Sequence, residues 1–515
     1  MVYHITVIVV NKSQLREFLV GIFFLKNYSR LLTAKNKNVI WTKNKRIIMK
    51  TSNLVNATRQ EDTLTFNGMV TNSTSLNSNV DMFFLAGASR NMSEKDIEIL
   101  FQKAIVENPL VALKTLFWSR DARGGAGERR FFRICSKFLN KNYLEYVEKN
   151  AKYIPEFGRW DDLFELDEKI VLPLIKEGLD NENGLLSKWL PRKGEFANSV
   201  RKYLGLNPKE YRKLIVGLSN TVEQKLCAKE WETITYPHVP SVAMNKYRKA
   251  FLKNDENRFN EYISLVHEGK EEIKAGVLFP HQLYQAYKRS EDQKAVEAQW
   301  INLPDYMADS NERIIPVCDV SGSMESRYGN TKVTPMDVSV SLGVYISERN
   351  KGIFKDAFIT FSSSPKMQYL RGSLYERLRQ LNSSEWGMST NLEAVYKLIL
   401  NSAVKNKLPE SEMPTKILII SDMEFNSCVS NGSDSAINMI ERMYSEAGYK
   451  TPEVIFWNVN GRLENVPAKN NKKGVGLVSG FSPSILKSIL QGSVETPESL
   501  MLKTVMSERY ESITV

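Results

Sequence analysis

Two patterns of apolar spacing divide the chain. From about Val80 to Trp300 the large apolar residues recur three and four positions apart. Ile97, Leu100, Phe101, Ala104 and Ile105 fall on one helical face. Ser93 with Asp96 three positions on reads as a helix N-terminus. Asn108-Pro109 opens a second helix over 110–118. Further amphipathic stretches at 130–149, 168–178, 209–216, 245–252 and 258–267 predict many short helices with short connections. Stacked helix pairs, a HEAT-like α-solenoid without a clean repeat period, are the expected architecture. Residues 50–80 are polar and rich in Asn, Ser and Thr, and predict an extended entry segment.

Beyond about residue 310 the spacing changes. Short, predominantly apolar runs at 313–318, 357–361, 416–421, 454–459 and 474–478 alternate with helical stretches at 337–348, 391–402, 434–446 and 483–490. Strands alternating with helices predict a parallel, doubly wound sheet covered on both faces. The expected fold class is thus α plus α/β, multidomain. The expected divisions are 1–48 as a basic leader or mis-assigned start, 49–305 as the helical module and 306–515 as the α/β domain.

Charge sharpens the first boundary. The 515 residues carry 70 Lys+Arg against 59 Asp+Glu, a formal +11. Nine of the basic residues and only Glu17 among the acids lie in 1–48, and the composition breaks at Met49. The rest of the chain is near neutral, so it does not advertise a strongly basic folded domain. The leader fits a nucleic-acid arm or an upstream extension of the reading frame. Its apolar runs, 5–10 and 18–25, are too short to span a membrane. A soluble cytoplasmic protein is expected. Four widely spaced cysteines, Cys135, Cys227, Cys318 and Cys428, and four histidines rule against a zinc site and leave little for acid–base catalysis. Buried free thiols are the expectation. No phosphate-binding glycine loop and no nucleophile elbow occur, so no enzyme is expected.

The residues with chemistry sit at strand ends. Asp319-Val-Ser321-Gly-Ser323 follows the first strand, placing a carboxylate and two hydroxyls on one loop. Thr390 precedes a helix within Gly387-Met-Ser-Thr390-Asn391, and Asp422 follows the strand ending in Ser421. Oxygen donors of this kind suit a hard cation, Mg²⁺ first. DVSGSM, GMSTN and IISDMEF in this order resemble the von Willebrand factor A domain. That resemblance implies a metal-ion-dependent adhesion site. Ser321, Ser323 and Thr390 would coordinate through hydroxyls, and Asp319 and Asp422 directly or through water. One position would stay open for an acidic residue of a partner. Met388-Ser389 depart from the family's more glycine-rich approach to the threonine.

The helical half has its own series. It comprises Trp118-Ser-Arg120-Asp-Ala-Arg123-Gly-Gly-Ala-Gly127-Glu128-Arg129-Arg130, then Pro155-Glu-Phe-Gly158-Arg159-Trp160-Asp161-Asp162 and Lys188-Trp-Leu-Pro191-Arg-Lys193. Glu223-Gln-Lys225 and Val239-Pro240-Ser241 follow. The series resembles the helical module of the TROVE family, the Ro ribonucleoproteins. The resemblance implies a ring of helical repeats closed by the A domain, binding small structured or misfolded RNA. Arginine forks match phosphate oxygens, which makes Arg120 and Arg123 candidates. Lys188, Arg192, Lys193, Arg201 and Lys202 form a second and better candidate set. The first cluster also fits internal pairing, for example Arg159 with Asp161 or Asp162. Trp118, Trp160, Trp189 and Trp231 sit in apolar helical contexts and read as core before base-stacking. The leading expectation is an RNA-binding ribonucleoprotein component with a metal-bearing partner site. The alternative is a metal-dependent protein scaffold without RNA.

Overall fold

The computed structural model describes residues 62–289, 292–361, 364–382, 390–426, 436–490 and 492–515. The leader, Cys428 and the Met388-Ser389 approach to Thr390 lie outside the described residues. From Asp62 onward these residues belong to one compact unit, Asn56–Val515.

A two-stranded hairpin, β1 (Asp62–Leu64) and β2 (Val70–Asn72), comes first. Helices follow as far as Ile301. The Ser93 hydroxyl caps Glu94–Glu107 by accepting from the Asp96 N–H. Asn108 caps Pro109–Arg120 through the Val111 N–H. The expected long helix over 130–149 is two, Arg129–Asn142 and Leu144–Asn150. Tyr143 between them leaves helical geometry, at φ −147° and ψ 58°, and its ring stacks on Tyr146. The helical pattern up to Trp300 ends in two helices, Pro280–Lys288 and Gln293–Ile301.

The second half is a six-stranded sheet in the order β5-β4-β3-β6-β7-β8. Its parallel strands are β3 (Ile314–Asp319), β4 (Ala357–Phe361), β6 (Lys416–Ser421), β7 (Glu453–Asn458) and β8 (Val475–Ser479). The short β5 (Met367–Tyr369) closes one edge antiparallel to β4. β3, β4, β6 and β8 are buried at every position, as strands covered on both faces must be. The helix Pro335–Arg349 lies so close to β3 that a β-carbon at Gly343 would fall 2.1 Å from the Cys318 sulfur.

One apolar core runs from the first helices through the sheet to Ile513. The helix Ser78–Ala86 packs on β8, where the Ser479 hydroxyl donates to the Phe83 carbonyl and accepts from the Gly87 N–H. The C-terminus returns to the helical half, where the Asn150 side chain bonds both the N–H and the carbonyl of Thr514. A second, smaller core gathers Tyr236, Phe251, Phe259 and Ile263. Of the described cysteines, Cys135 and Cys318 are buried as expected, whereas Cys227 is exposed. Among the described residues no helix is long and apolar enough to cross a membrane.

Candidate cation site at the carboxyl edge of the sheet

The strand order fixes where a ligand can enter. From β3 the chain passes to β4 on one side and later to β6 on the other. The carboxyl ends of β3 and β6 therefore flank a point where the winding reverses, and loops leaving in opposite directions open a crevice there. The two strands pair from Ile314↔Lys416 to Cys318↔Ile420, so Asp319 ends its strand beside Ser421.

Four of the five residues expected to bear oxygen ligands meet in this crevice. Asp319 is fully buried and accepts from the Ser421 hydroxyl at 2.5 Å and the Ser321 N–H at 2.9 Å. The Ser321 and Ser323 hydroxyl oxygens are 3.1 Å apart. Asp422 is buried as well, and accepts from the Glu424 N–H at 3.2 Å. Among the described residues nothing donates a hydrogen bond to its Oδ2. The nearest cation is the Arg462 guanidinium, 3.6 Å away, which also reaches Glu424 at 3.2 Å. That is too long for a hydrogen bond to Asp422.

Thr390 stands one step removed. Its hydroxyl lies 3.0 Å from the Glu424 carbonyl and 2.8 Å from Asn426 Oδ1, and accepts from the Asn426 N–H. The contacts of this side chain thus lie with residues 424 and 426 rather than with the serines.

The electrostatics follow from burying two carboxylates together. Burial first, and then the neighbouring Asp422 charge, push the Asp319 carboxyl up to about 7, against the hydrogen bonds from Ser421 and Ser321. Burial also raises Asp422, while the Glu424 N–H, Arg462 and the Ser323 hydroxyl pull it back. Against these carboxylates the described residues set one guanidinium, that of Arg462. Two carboxylates, two hydroxyls and one oxygen without a hydrogen bond fit a hard cation held through oxygen. Among the described residues no group of three or more His, Cys, Asp or Glu could hold a metal, and this donor set, rich in hydroxyls, is of a different kind.

Three participants escaped the sequence reading. Ser421 ends its strand in the sequence pattern, and its hydroxyl orients Asp319. Glu424 is signalled by its place two residues past Asp422. Arg462 follows β7 and has no local signal. The N-terminal hairpin also reaches this edge. The Phe66 N–H donates to Glu424 Oε2 at 2.6 Å, the Asn67 amide to the Glu424 carbonyl at 2.7 Å, and the Thr65 hydroxyl to the Phe425 carbonyl at 2.6 Å.

The basic residues divide in two. Arg120 is buried, its Nε 2.7 Å from Asp162, and Arg133 bonds both Asp161 and Asp162. Arg159 pairs with Asp161 at 2.5 Å and stacks over Trp189 at 3.7 Å. Arg120 therefore serves an internal corner and offers no fork to solvent. Arg123 is exposed, with one contact to the Glu156 carbonyl at 3.4 Å. In the second set Lys188 is tied to Glu223 at 3.1 Å and Arg201 to the Leu206 carbonyl. Arg192, Lys193 and Lys202 are exposed. Lys209, Arg212 and Lys213, on one face of the helix Pro208–Ser219, are exposed too, and their spacing was legible in the sequence. Trp118 is core and packs on Phe83.

Residues 313–513 match a domain of unknown function, DUF7788, and residues 151–312 match another domain of unknown function, DUF2828. The two matches meet just ahead of β3. An uncharacterized protein of Acanthamoeba polyphaga mimivirus is 28% identical over 482 residues, covering 81% of this chain and 83% of the viral one.

Proposed function

We propose that this chain is a binding protein of the TROVE–von Willebrand A type, built to hold a divalent cation, most simply Mg²⁺, in its α/β half. The buried Asp422 oxygen that receives no hydrogen bond, set beside Asp319, Ser321 and Ser323 at the reversal point of the sheet, carries this reading. A buried carboxylate oxygen that accepts no hydrogen bond, with a guanidinium only at 3.6 Å, is costly, and a bound cation would lower that cost. Asp319, Ser321, Ser323 and Asp422 would hold the ion, with Thr390 joining after its hydroxyl turns from Glu424 and Asn426. The ion would supply a positive charge with a position open to a partner's Asp or Glu.

In this reading the helical half is the RNA-binding body of a cytoplasmic ribonucleoprotein. Its contact surface is the exposed set Arg192, Lys193 and Lys202, extended by Lys209, Arg212 and Lys213. Filter binding of a structured RNA at several salt concentrations tests this part. Saturable binding that weakens steeply with salt supports it, and no binding at low salt contradicts it.

The second reading, a metal-dependent protein scaffold without RNA, draws on the arginine corner. There Arg120, Arg133 and Arg159 are spent on Asp161 and Asp162. It predicts protein partners released by chelator and by Asp319→Ala in a pull-down, together with no RNA binding at low salt.

A further inference from the structure

Two carboxylates buried side by side call for a counter-charge, and the chain holds one in place. Arg462 follows β7 and is 41% exposed, yet its guanidinium spans the two acids of the β6 loop. One nitrogen lies 3.6 Å from Asp422 Oδ2 and the other 3.2 Å from Glu424 Oε1. Glu424 is fixed independently by the Phe66 N–H and the Asn465 amide, so it anchors the arginine from one side. On the other side the guanidinium faces the carboxylate oxygen to which no described group donates a hydrogen bond. The contact to Glu424 is close, and the one to Asp422 is a longer, purely electrostatic approach. An arginine held this way neutralises the site without filling it.

We infer that Arg462 is the resident counter-cation of this site, competing with a divalent ion for Asp422 and so setting the affinity of the cation that the site admits. This rests on the cation reading above. When a divalent ion takes Asp422 Oδ2, the guanidinium keeps its tie to Glu424 and gives up the approach to Asp422. Its remaining positive charge beside the ion weakens cation binding. The chemical class admitted is a small hard divalent cation. A monovalent ion would return no more charge than the arginine already gives.

The experiment is a Mn²⁺ titration of the full chain followed by the loss of the free-ion paramagnetic resonance signal, repeated with Mg²⁺ competing. Wild type, Arg462→Gln and Arg462→Lys are compared. Removing a like charge at this range should tighten Mn²⁺ binding about tenfold in Arg462→Gln. Arg462→Lys, which keeps the charge, should stay near wild type. Thermal unfolding gives a second readout. Metal-free Arg462→Gln should melt below wild type, and saturating Mg²⁺ should close that gap. Equal Mn²⁺ affinity in wild type and Arg462→Gln overturns the inference and leaves the cation site standing. Weaker binding in Arg462→Gln overturns it too, by making the arginine a support. Silence in all three proteins removes the cation reading itself, and the inference with it.

Discussion

The molecule buries charge in two places and settles the account differently in each. In the corner joining the helices Pro109–Arg120 and Arg129–Asn142 to the Trp160–Asp162 turn, every buried acid has a cation against it. Asp162 accepts from Arg120, from Arg133 and from the Arg159 N–H at 2.7, 2.8 and 3.0 Å. For Asp161, burial alone would raise the carboxyl, yet hydrogen bonding and charge from Arg159, with Arg133 and Arg129 behind, hold it below its usual range. At the carboxyl edge of the sheet, burial and mutual repulsion win. Asp319 and Asp422 both rise, and one oxygen lacks a hydrogen bond. A charged cluster that satisfies itself is architecture. One that leaves a carboxylate oxygen without a hydrogen bond is where the proposed cation would sit.

The largest expected effect breaks the first cluster. Asp162→Ala strands Arg120, whose side chain is 6% exposed, as an unpaired buried charge. Chemical denaturation should show a loss of about 3–5 kcal/mol. The same kind of change at the second cluster should behave oppositely. Metal-free Asp422→Asn removes one of two repelling carboxylates and should shift stability by no more than about 1 kcal/mol. A loss as large as that of Asp162→Ala would erase the distinction between the clusters.

The pH dependence sharpens the contrast. Asp319 rises from an ordinary 3.8 to about 7, so between those values the folded state holds a proton that the unfolded chain has released. Metal-free stability from this group should fall as pH rises from about 4 to 7, and Asp422→Asn should flatten the fall. Asp161 has the reverse sign. Its carboxyl lies below 3.8, so its contribution is present above that value and is lost as pH drops beneath it. Denaturation midpoints between pH 3 and 8, with and without Mg²⁺, measure both. The smallest effect is at the surface. Replacing Arg192, Lys193 and Lys202 together by Ala should leave stability within about 0.5 kcal/mol. It should weaken RNA binding several-fold and flatten the slope of affinity against salt.

The strands were readable because burial on both faces leaves an uninterrupted apolar run. Ala357–Phe361 and Lys416–Ser421 lie where the runs are. β5 was not readable, since three partly exposed residues at an edge leave no periodic signal. Neither was the hairpin, whose Leu64 and Phe66 are exposed and whose anchors lie some 360 positions along the chain. At the site, Asp319, Ser321, Ser323 and Asp422 were legible because two adjacent strand ends carry them. Thr390 was placed in the right neighbourhood, but its contacts depend on Asn426, which only the fold brings near. Arg120 looks from the sequence like a phosphate contact because its partner, Asp162, lies 42 positions on. Spacing along the sequence cannot tell an arginine spent indoors from one held out to solvent.

The most direct test is a calorimetric titration of Mg²⁺ into wild type and Asp319→Ala at neutral pH. The account predicts one saturable site in wild type and none in Asp319→Ala, with both proteins folded. Silence in both, or binding unchanged by the substitution, would contradict it.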